Sequence, residues 1–235
     1  QNEGKTDSTP DPAMIEMFNA MVDEMFDYGR FILKEKRKNP SDDLLSAIAN
    51  AEIEGEKLTD EFLDGSWLLI IFAGNDTTRN TMSGGIKLLH ENQGQKELLM
   101  QDTALLPNFI HETIRCVSPV IHMRRTSLEE TEISGQRIGP FEKISLWYGA
   151  ANRDPDIFEN PNEFNILREN ADKHLAFGIG RHTCLGKPIA LMQLKEFYSQ
   201  FLTRFKDFEL NGEWKVAPNN FVHAIQEMPI KFTPE

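Results

Sequence analysis

The residue with the clearest potential for chemistry in this chain is Cys184, in the segment FGIGRHTCLG at residues 177–186. Gly178 and Gly180 permit a tight turn without a side-chain clash. Pro188 indicates a helix that begins just after the cysteine. Unpaired backbone N–H groups and the positive end of that helix would hold the sulfur as a thiolate. A thiolate is a soft ligand for a metal centre.

A lone cysteine is more often a small buried hydrophobic residue than a ligand. The spacing F-G-x-G-x-H-x-C-x-G reverses that balance, because it matches the haem-binding signature of the cytochrome P450 family at every diagnostic position. The chain therefore resembles a haem-thiolate monooxygenase, in which thiolate donation favours O–O bond cleavage. By this resemblance Cys184 is the axial ligand of haem b (iron protoporphyrin IX). Phe177 and Gly178 then lie beside the ligand loop, and His182 hydrogen-bonds a haem propionate.

A second motif, AGNDTT, lies inside a helical pattern of about 30 residues whose middle is apolar nearly all round, which predicts a centrally buried helix. Gly74 weakens a helix by ~1 kcal/mol relative to Ala, and a buried acid needs hydrogen-bond partners. A kinked helix with satisfied polar groups explains both features equally well. In the family that the chain resembles, this motif passes over the haem. The resemblance places Ala73 and Gly74 against the haem, and gives Asp76 and Thr77 a role in proton delivery to dioxygen.

Glu112 and Arg115 lie three residues apart on one face of a predicted helix. In isolation they would form a surface ion pair worth under ~1 kcal/mol. The family resemblance implies instead a buried structural pair, E-x-x-R, which Arg168 joins from a later loop. These residues support the haem site and take no part in the chemistry.

The segment PVIHMRRT, residues 119–126, follows that helix. An ordinary strand with exposed arginines accounts for it. The resemblance implies that Arg125 contacts a haem propionate, as a guanidinium suits a carboxylate, with Arg124 as its near neighbour. Val120 and Ile121 would line the substrate pocket.

The remaining pattern predicts a mostly helical α+β protein with a small β region. The resemblance implies that this is the C-terminal portion of a cytochrome P450 fold. Residues 1–12 read as a flexible lead-in, and residues 13–235 as part of a single haem domain. An amphipathic helix is predicted over 13–38, and Ser41 is the expected cap of a short helix. Short strands are expected over 119–149, then loops to 180 and a final helix from Pro188.

Composition limits the class of protein. The net charge of −12 argues against a nucleic-acid partner. The longest apolar run, residues 67–73, is far shorter than the ~20 residues that span a bilayer. Two cysteines do not make a disulfide framework, which favours a cytoplasmic setting.

Together the motifs imply a monooxygenase that inserts one oxygen atom of dioxygen into a C–H bond of a small apolar substrate: an alkane, fatty acid, terpenoid or sterol. The segments at 74–85, 122–129 and 146–155 look similar to bacterial soluble alkane and fatty-acid hydroxylases. The resemblance covers about residues 14–235, and the N-terminal half of the family is absent. We therefore expect poor solubility or weak haem binding, since apolar surface would be uncovered.

Electrons for this reaction come from a redox partner. The positive side chains Arg181, Lys187 and Lys195 suggest a docking patch for an acidic ferredoxin, although a scattered solvated face explains them too. Two other functions stay open: an inactive haem-free helical fragment that packs against another chain, and a haem protein that uses peroxide or isomerises its substrate.

Overall fold

The computed structural model describes residues 11–205 and 207–233. It divides into two compact units, Gln1–Gly74 and Asn75–Glu235. The described residues are mostly helical, with small antiparallel two-stranded sheets, which confirms the predicted α+β class. The predicted lead-in lies outside the described residues as far as residue 10, and Pro12 already belongs to the first helix.

The helices are α1 (Pro12–Lys38), α2 (Leu44–Asn50), α3 (Asp60–Glu91), α4 (Gln93–Gln101), α5 (Leu106–Val117), α6 (Tyr148–Ala151) and α7 (Lys187–Arg204). The strands are β1 (Glu52–Ile53), β2 (Glu56–Lys57), β3 (His122–Thr126), β4 (Thr131–Ile133), β5 (Gln136–Ile138), β6 (Lys143–Trp147), β7 (Asp207–Leu210), β8 (Lys215–Val216), β9 (Ile225–Glu227) and β10 (Ile230–Thr233). β1 pairs with β2, β3 with β6, β4 with β5, β7 with β10, and β8 with β9. The long helix, the strands at 122–147 and the final helix confirm the sequence predictions, whereas α4 was not foreseen.

The first unit has its own small core, in which α1 packs closely on the start of α3. Leu33, Ala49, Leu63 and Trp67 are buried there. The indole N–H of Trp67 donates to the carbonyl of Met25 at 3.0 Å. An indole buried in this way keeps its one polar group satisfied.

Two predictions about this unit are wrong. Asp43, not Ser41, caps α2, because its carboxylate accepts the backbone N–H of Ser46 at 2.8 Å. The apolar middle of α3 is exposed rather than buried: Leu69 is 66% and Phe72 50% accessible. The sequence pattern records that this face is apolar, but it carries no information on what surface covers it.

The second unit is built on the packing of α7 against α5 and the later turns of α3. Tyr198 is fully buried, and its hydroxyl lies 3.0 Å from the carbonyl oxygens of Thr81 and Met82. Gly85 makes this approach possible, because a Cβ there would overlap the Tyr198 hydroxyl. Burial raises the pKa of that phenol far above its ordinary value. Tyr198 is therefore a neutral structural donor that fixes α7 on α3.

A buried ionic network holds the centre of the same unit. Glu112 accepts two hydrogen bonds from Arg115, at 2.7 and 2.8 Å, and one from Nε of Arg168 at 3.2 Å. The side chains of Glu112 and Arg115 are 0% exposed. Since buried charges are tolerated only when their remaining donors and acceptors are satisfied, the rest of the network is as important as the pair itself.

The loop that follows α6 supplies those partners. Arg115 donates to the carbonyl oxygens of Asn152 and Pro161, at 2.8 and 2.7 Å. The backbone N–H of Asn165 donates to Glu112 at 2.9 Å. An irregular segment with little secondary structure is thereby tied to α5 at several points.

Gly85→Ala tests the close contact between α3 and α7. Inserting a methyl group against the Tyr198 hydroxyl should cost about 1–3 kcal/mol of unfolding free energy, since the helix pair must shift. Urea unfolding followed by circular dichroism measures the change. Gly94→Ala is the matched control, because a Cβ at Gly94 meets no described atom within 4 Å. An equal effect of the two substitutions would contradict this account.

Glu112→Gln tests the buried network. Removing the anion leaves Arg115 and Arg168 buried without a counter-charge, which should destabilise the chain by about 3–5 kcal/mol. The same substitution at Glu227, whose ion pair with Lys215 is more than half exposed, should cost under ~1 kcal/mol. Urea unfolding measures the change in unfolding free energy for both variants. A small effect at Glu112 would show that the network is not needed for stability.

Candidate functional site

Cys184 lies in a tight loop that the chain closes with its own backbone. The N–H of Cys184 donates to the carbonyl of Phe177 at 2.8 Å, and the N–H of Lys187 donates to the carbonyl of Cys184 at 3.3 Å. Gly178 and Gly180 adopt positive φ angles of 69° and 67°. The final helix begins at Lys187, directly after the cysteine, as the sequence predicts.

Gly178 is required on two counts. Its φ angle belongs to the left-handed region that favours glycine. A Cβ there would also lie 2.9 Å from the carbonyl oxygen of His182, closer than real Cβ atoms come. The loop can therefore fold back on itself only with glycine at this position.

The two cysteines have different environments. Cys184 is a free, exposed thiol beside the start of α7. Cys116 lies in the core next to the ionic network, where burial, and secondarily Glu112, raises the pKa of its thiol to about 11. Cys116 is therefore unsuited to serve as a ligand, and Cys184 is the cysteine that a ligand can reach.

Exposed apolar side chains accompany the thiol on the loop and on the first turns of α7. Ile179 is 75%, Leu185 77% and Met192 63% accessible. A soft sulfur donor amid apolar surface suits a haem, whose iron takes the thiolate and whose macrocycle covers apolar groups. The residues present thus fit an iron protoporphyrin with Cys184 as its ligand.

Side chains that could bind the haem propionates come from two places. His182 lies exposed in the Cys184 loop. Arg124 and Arg125 are neighbours in β3, so they point to opposite faces of the β3–β6 pair. Arg125 is half-buried and donates to the carbonyl of Arg124 at 2.9 Å. In the part of the chain that the structure describes, none of the three pairs with a carboxylate.

The expected pocket residues Val120 and Ile121 lie against a segment that sequence reasoning did not connect with them. Val120 forms a β-bridge with Val222. The N–H of Ile121 donates to the carbonyl of Phe221 at 2.8 Å, and its own carbonyl accepts from Tyr148 at 3.1 Å. The C-terminal region is thus brought to the start of β3, a long-range pairing that no local pattern reveals.

The polar motif of α3 has contacts along its own helix. Asp76 pairs with Arg79 at 2.6 Å, and Asn80 donates to the carbonyl of Asp76 at 2.8 Å. Asp76 and Thr77 are half-buried. Ala73 and Gly74 are exposed and belong to the first unit. No atom of that unit lies within 4 Å of a Cβ built on Gly74, so the space beside the helix is open there.

Sequence reasoning missed Asn152, which links the ionic network to the Cys184 segment. Its amide donates to the hydroxyl of Ser118 at 2.9 Å, and its side-chain oxygen accepts the N–H of Leu175 at 2.6 Å. Its own carbonyl accepts from Arg115 at 2.8 Å. The signal was a polar residue directly after the helical YGAA segment, ahead of the charged Arg153 and Asp154.

A direct contact between two histidines was also missed. His111 on α5 and His174, ahead of the Cys184 loop, lie 3.3 Å apart through their ring nitrogens. Sixty-three positions separate them, so sequence spacing gives no hint of the contact.

As to membranes, none of the helices in the described ranges combines the length and apolarity that crossing a bilayer requires.

Comparison with known proteins identifies relatives over nearly all of the chain. The family model for cytochrome P450 matches residues 9–233. Curated relatives include cytochrome P450-terp of Pseudomonas sp (36% identical over 92% of this chain and 50% of the relative). Steroid C26-monooxygenase of Mycobacterium tuberculosis is 38% identical over 88% of this chain and 56% of the relative. The chain spans about half the length of the curated relatives it matches.

Solved structures give the same result. Cytochrome P450-153 from Novosphingobium aromaticivorans is 35% identical, with a TM-score of 0.85 over 95% of this chain and 55% of that one. CYP109E1 from Bacillus megaterium in complex with testosterone is 34% identical, with a TM-score of 0.82 over 92% of this chain and 60% of that one. The chain belongs to the cytochrome P450 family of haem-thiolate enzymes, and its fold is that of the C-terminal portion of these proteins.

Proposed function

We propose that residues 13–235 are the C-terminal part of the haem domain of a monooxygenase that inserts one oxygen atom of dioxygen into a C–H bond. The observation that carries the proposal is the thiol of Cys184, free and exposed in a glycine loop of the family's signature spacing. The buried network around Glu112 supports that loop and takes no chemical part. Two free cysteines suit a cytoplasmic protein.

Each candidate residue has a distinct task in this proposal. The haem, when bound, supplies the dioxygen chemistry. Cys184 gives the thiolate ligand, and Phe177 and Gly178 shape the loop that holds it. Arg125 and His182 hold the propionate carboxylates.

The polar motif of α3 serves proton delivery in this proposal. Asp76 is half-buried, so it can exchange protons with solvent, and Thr77 adds a hydroxyl one position along the helix. General acid–base groups of this kind contribute roughly 10²–10⁴-fold to a reaction rate. Ala73 and Gly74 are assigned to the haem on the family resemblance.

The substrate in this proposal is small and apolar: an alkane, fatty acid, terpenoid or sterol. Relatives named linalool 8-monooxygenase, 34% identical, and methyl-branched lipid omega-hydroxylase, 31% identical, have largely hydrocarbon substrates by name. Val120 and Ile121 provide apolar surface for such a substrate, since apolar pockets bind such ligands by excluding water.

The electron donor in this proposal is an acidic ferredoxin. Arg181 and Lys195 are exposed, and Lys187 lies 5.6 Å above the ring of Phe177. Arg181 lies in the Cys184 loop, and Lys187 and Lys195 follow it on α7, on a chain whose net charge is −12. A local positive patch on an acidic protein steers an acidic partner to one place.

Cys184→Ala tests the thiolate assignment. The haem-supplemented, reduced chain should give a red-shifted Soret band in its carbon monoxide difference spectrum, because a thiolate donates electrons to the iron. The band should vanish in Cys184→Ala. Cys116→Ser is the matched control, since Cys116 is half-buried beside Arg115 and Glu112, and it should keep the band.

Loss of the band in both variants, or its survival in Cys184→Ala, would contradict the assignment. Absence of any haem band in the unmodified chain would favour the alternative function, a haem-free fragment that packs against another chain. The exposed apolar residues of α3 would then be the packing surface, and the same spectra with the upstream half of the protein restored would separate the two cases.

Lys195→Glu tests the docking patch. Reversing this charge should lower the ferredoxin reduction rate of the haem-loaded protein by about tenfold at low salt and weaken its salt dependence, since steering is electrostatic. Stopped-flow absorbance measures the rate. Lys34→Glu, an exposed lysine of the first unit, changes net charge equally and should have little effect. Unchanged rates in Lys195→Glu would reject the patch.

A further inference from the structure

His111 and His174 form a buried contact between the scaffold and the loop that carries Cys184. Nδ1 of His111 lies 3.3 Å from Nε2 of His174, and the rings are 5.5 Å apart at 36°. His174 is only 7% exposed. His111 belongs to α5, one position before Glu112. The contact therefore joins α5, the helix that carries the ionic network, to His174, which lies just before the Cys184 loop.

His174 also packs directly on the loop. Its ring lies 5.6 Å from that of Phe177, whose carbonyl accepts the N–H of Cys184. The next residue, Leu175, is fixed through its N–H to Asn152 at 2.6 Å. Displacing His174 would thus move Phe177 and, through it, the backbone position that defines Cys184.

The contact holds a single proton between two nitrogens. Either His174 donates to His111 or His111 donates to His174, and hydrogen positions do not decide between them. In both cases Nδ1 of His174 is buried and has no hydrogen-bond partner among the described residues. If His174 donates, a proton added to it must enter at the buried Nδ1, where it finds no acceptor among the described residues. If His111 donates, His174 already carries its proton on Nδ1, and a proton added at Nε2 sets donor against donor. Protonation of His174 therefore breaks or strains the contact in either arrangement.

The charges around the pair also oppose protonation. Lys187 and Arg115 act against a positive His174, and Asp172 favours it. Burial first, then His111 and Lys187, lower the pKa of His174 to about 4. Burial likewise lowers the pKa of His111, with Asp172 opposing. Both rings are therefore neutral at neutral pH.

We propose that His111 and His174 are positioning residues for the Cys184 loop, and that their contact holds the loop only while the imidazole of His174 is neutral. The consequence for a haem ligand rests on the function proposed above, whereas the release of the loop does not. Acid then acts as a switch on the thiolate position, separate from any titration of the sulfur itself.

The direction of the pH effect follows from linkage. We call the loop closed while His174 contacts His111, and open once His174 is released to solvent. In the open loop the pKa of His174 returns to its ordinary value of 6.5, whereas in the closed loop its pKa is about 4. Above pH 6.5 His174 is neutral in both states, so proton binding does not oppose the closed loop. As the pH falls from 6.5 to 4, His174 is protonated in the open loop but stays neutral in the closed loop. Proton binding therefore favours the open loop, and closure weakens across this pH range.

Hydrogen exchange of the full chain between pH 7 and 4, read by mass spectrometry and corrected for the intrinsic rate, tests the proposal. The segment 174–187 should lose protection across the window, by up to on the order of a hundredfold. In His174→Gln that pH dependence should disappear. In His111→Glu a carboxylate would accept from a charged His174, so protection should persist to lower pH.

His223→Gln is the matched control. Burial lowers the pKa of His223 as well, but its backbone joins Pro119 rather than the loop, so this variant should respond to acid as the unmodified chain does. Constant protection of residues 174–187 would overturn the proposal. So would the same loss in His174→Gln, or an equal loss in β7 and β10, which would indicate general unfolding.

A second measurement separates this inference from the function it deepens. The haem-supplemented chain should lose its red-shifted carbon monoxide band across the same window, and His111→Glu should keep the band to lower pH. If the chain fails to bind haem at every pH, the proposed function is rejected. Hydrogen exchange then still tests the role of the histidine contact by itself. An acid-resistant band alongside acid-sensitive exchange would overturn the consequence for the ligand.

Discussion

The second unit depends on one constraint, the burial of the Glu112 carboxylate between two guanidinium groups. One anion faces two cations, so the buried charges do not cancel. The surplus donors of Arg115 and Arg168 need acceptors, and the backbone carbonyls of Asn152, Pro161 and Glu163 provide them. A long segment without helix or strand becomes ordered for this reason, since leaving such donors unpaired in the core would cost several kcal/mol.

Side-chain contacts, rather than helices or strands, connect this network to the Cys184 loop. Asn152 binds the N–H of Leu175, and His174 contacts both His111 and Phe177. On the other side, α7 is fixed to α3 by the buried hydroxyl of Tyr198. The loop between these two anchors has little freedom, which is the condition for a metal ligand to be held within fractions of an ångström.

The sequence was informative wherever the signal is local. Gly178 and Gly180 predict the loop, and Pro188 predicts the helix after it. Each signal belongs to a single residue, because glycine permits positive φ angles and the proline ring fixes φ. The length of α3 follows from its apolar period, but its exposure does not, because Leu69 and Phe72 do not encode what covers them. His111 and His174 could not be paired, since each has an ordinary local pattern. Asp43 replaced Ser41 as a cap because both suit the role and only the turn geometry selects one.

Three backbone hydrogen bonds shape the Cys184 loop. Cys184 bonds to Phe177, Thr183 to Gly180, and Lys187 to Cys184, so backbone hydrogen bonds hold the main chain of Cys184 at its place in the loop. The scaffold below the loop is equally complete, with its charges satisfied by carbonyls. A haem that binds at this loop meets a backbone that these hydrogen bonds already fold, so little conformational entropy of the loop is lost on binding. Any weakness in haem affinity would then arise from uncovered apolar surface, such as Ile179 and Leu185, rather than from a disordered thiolate loop.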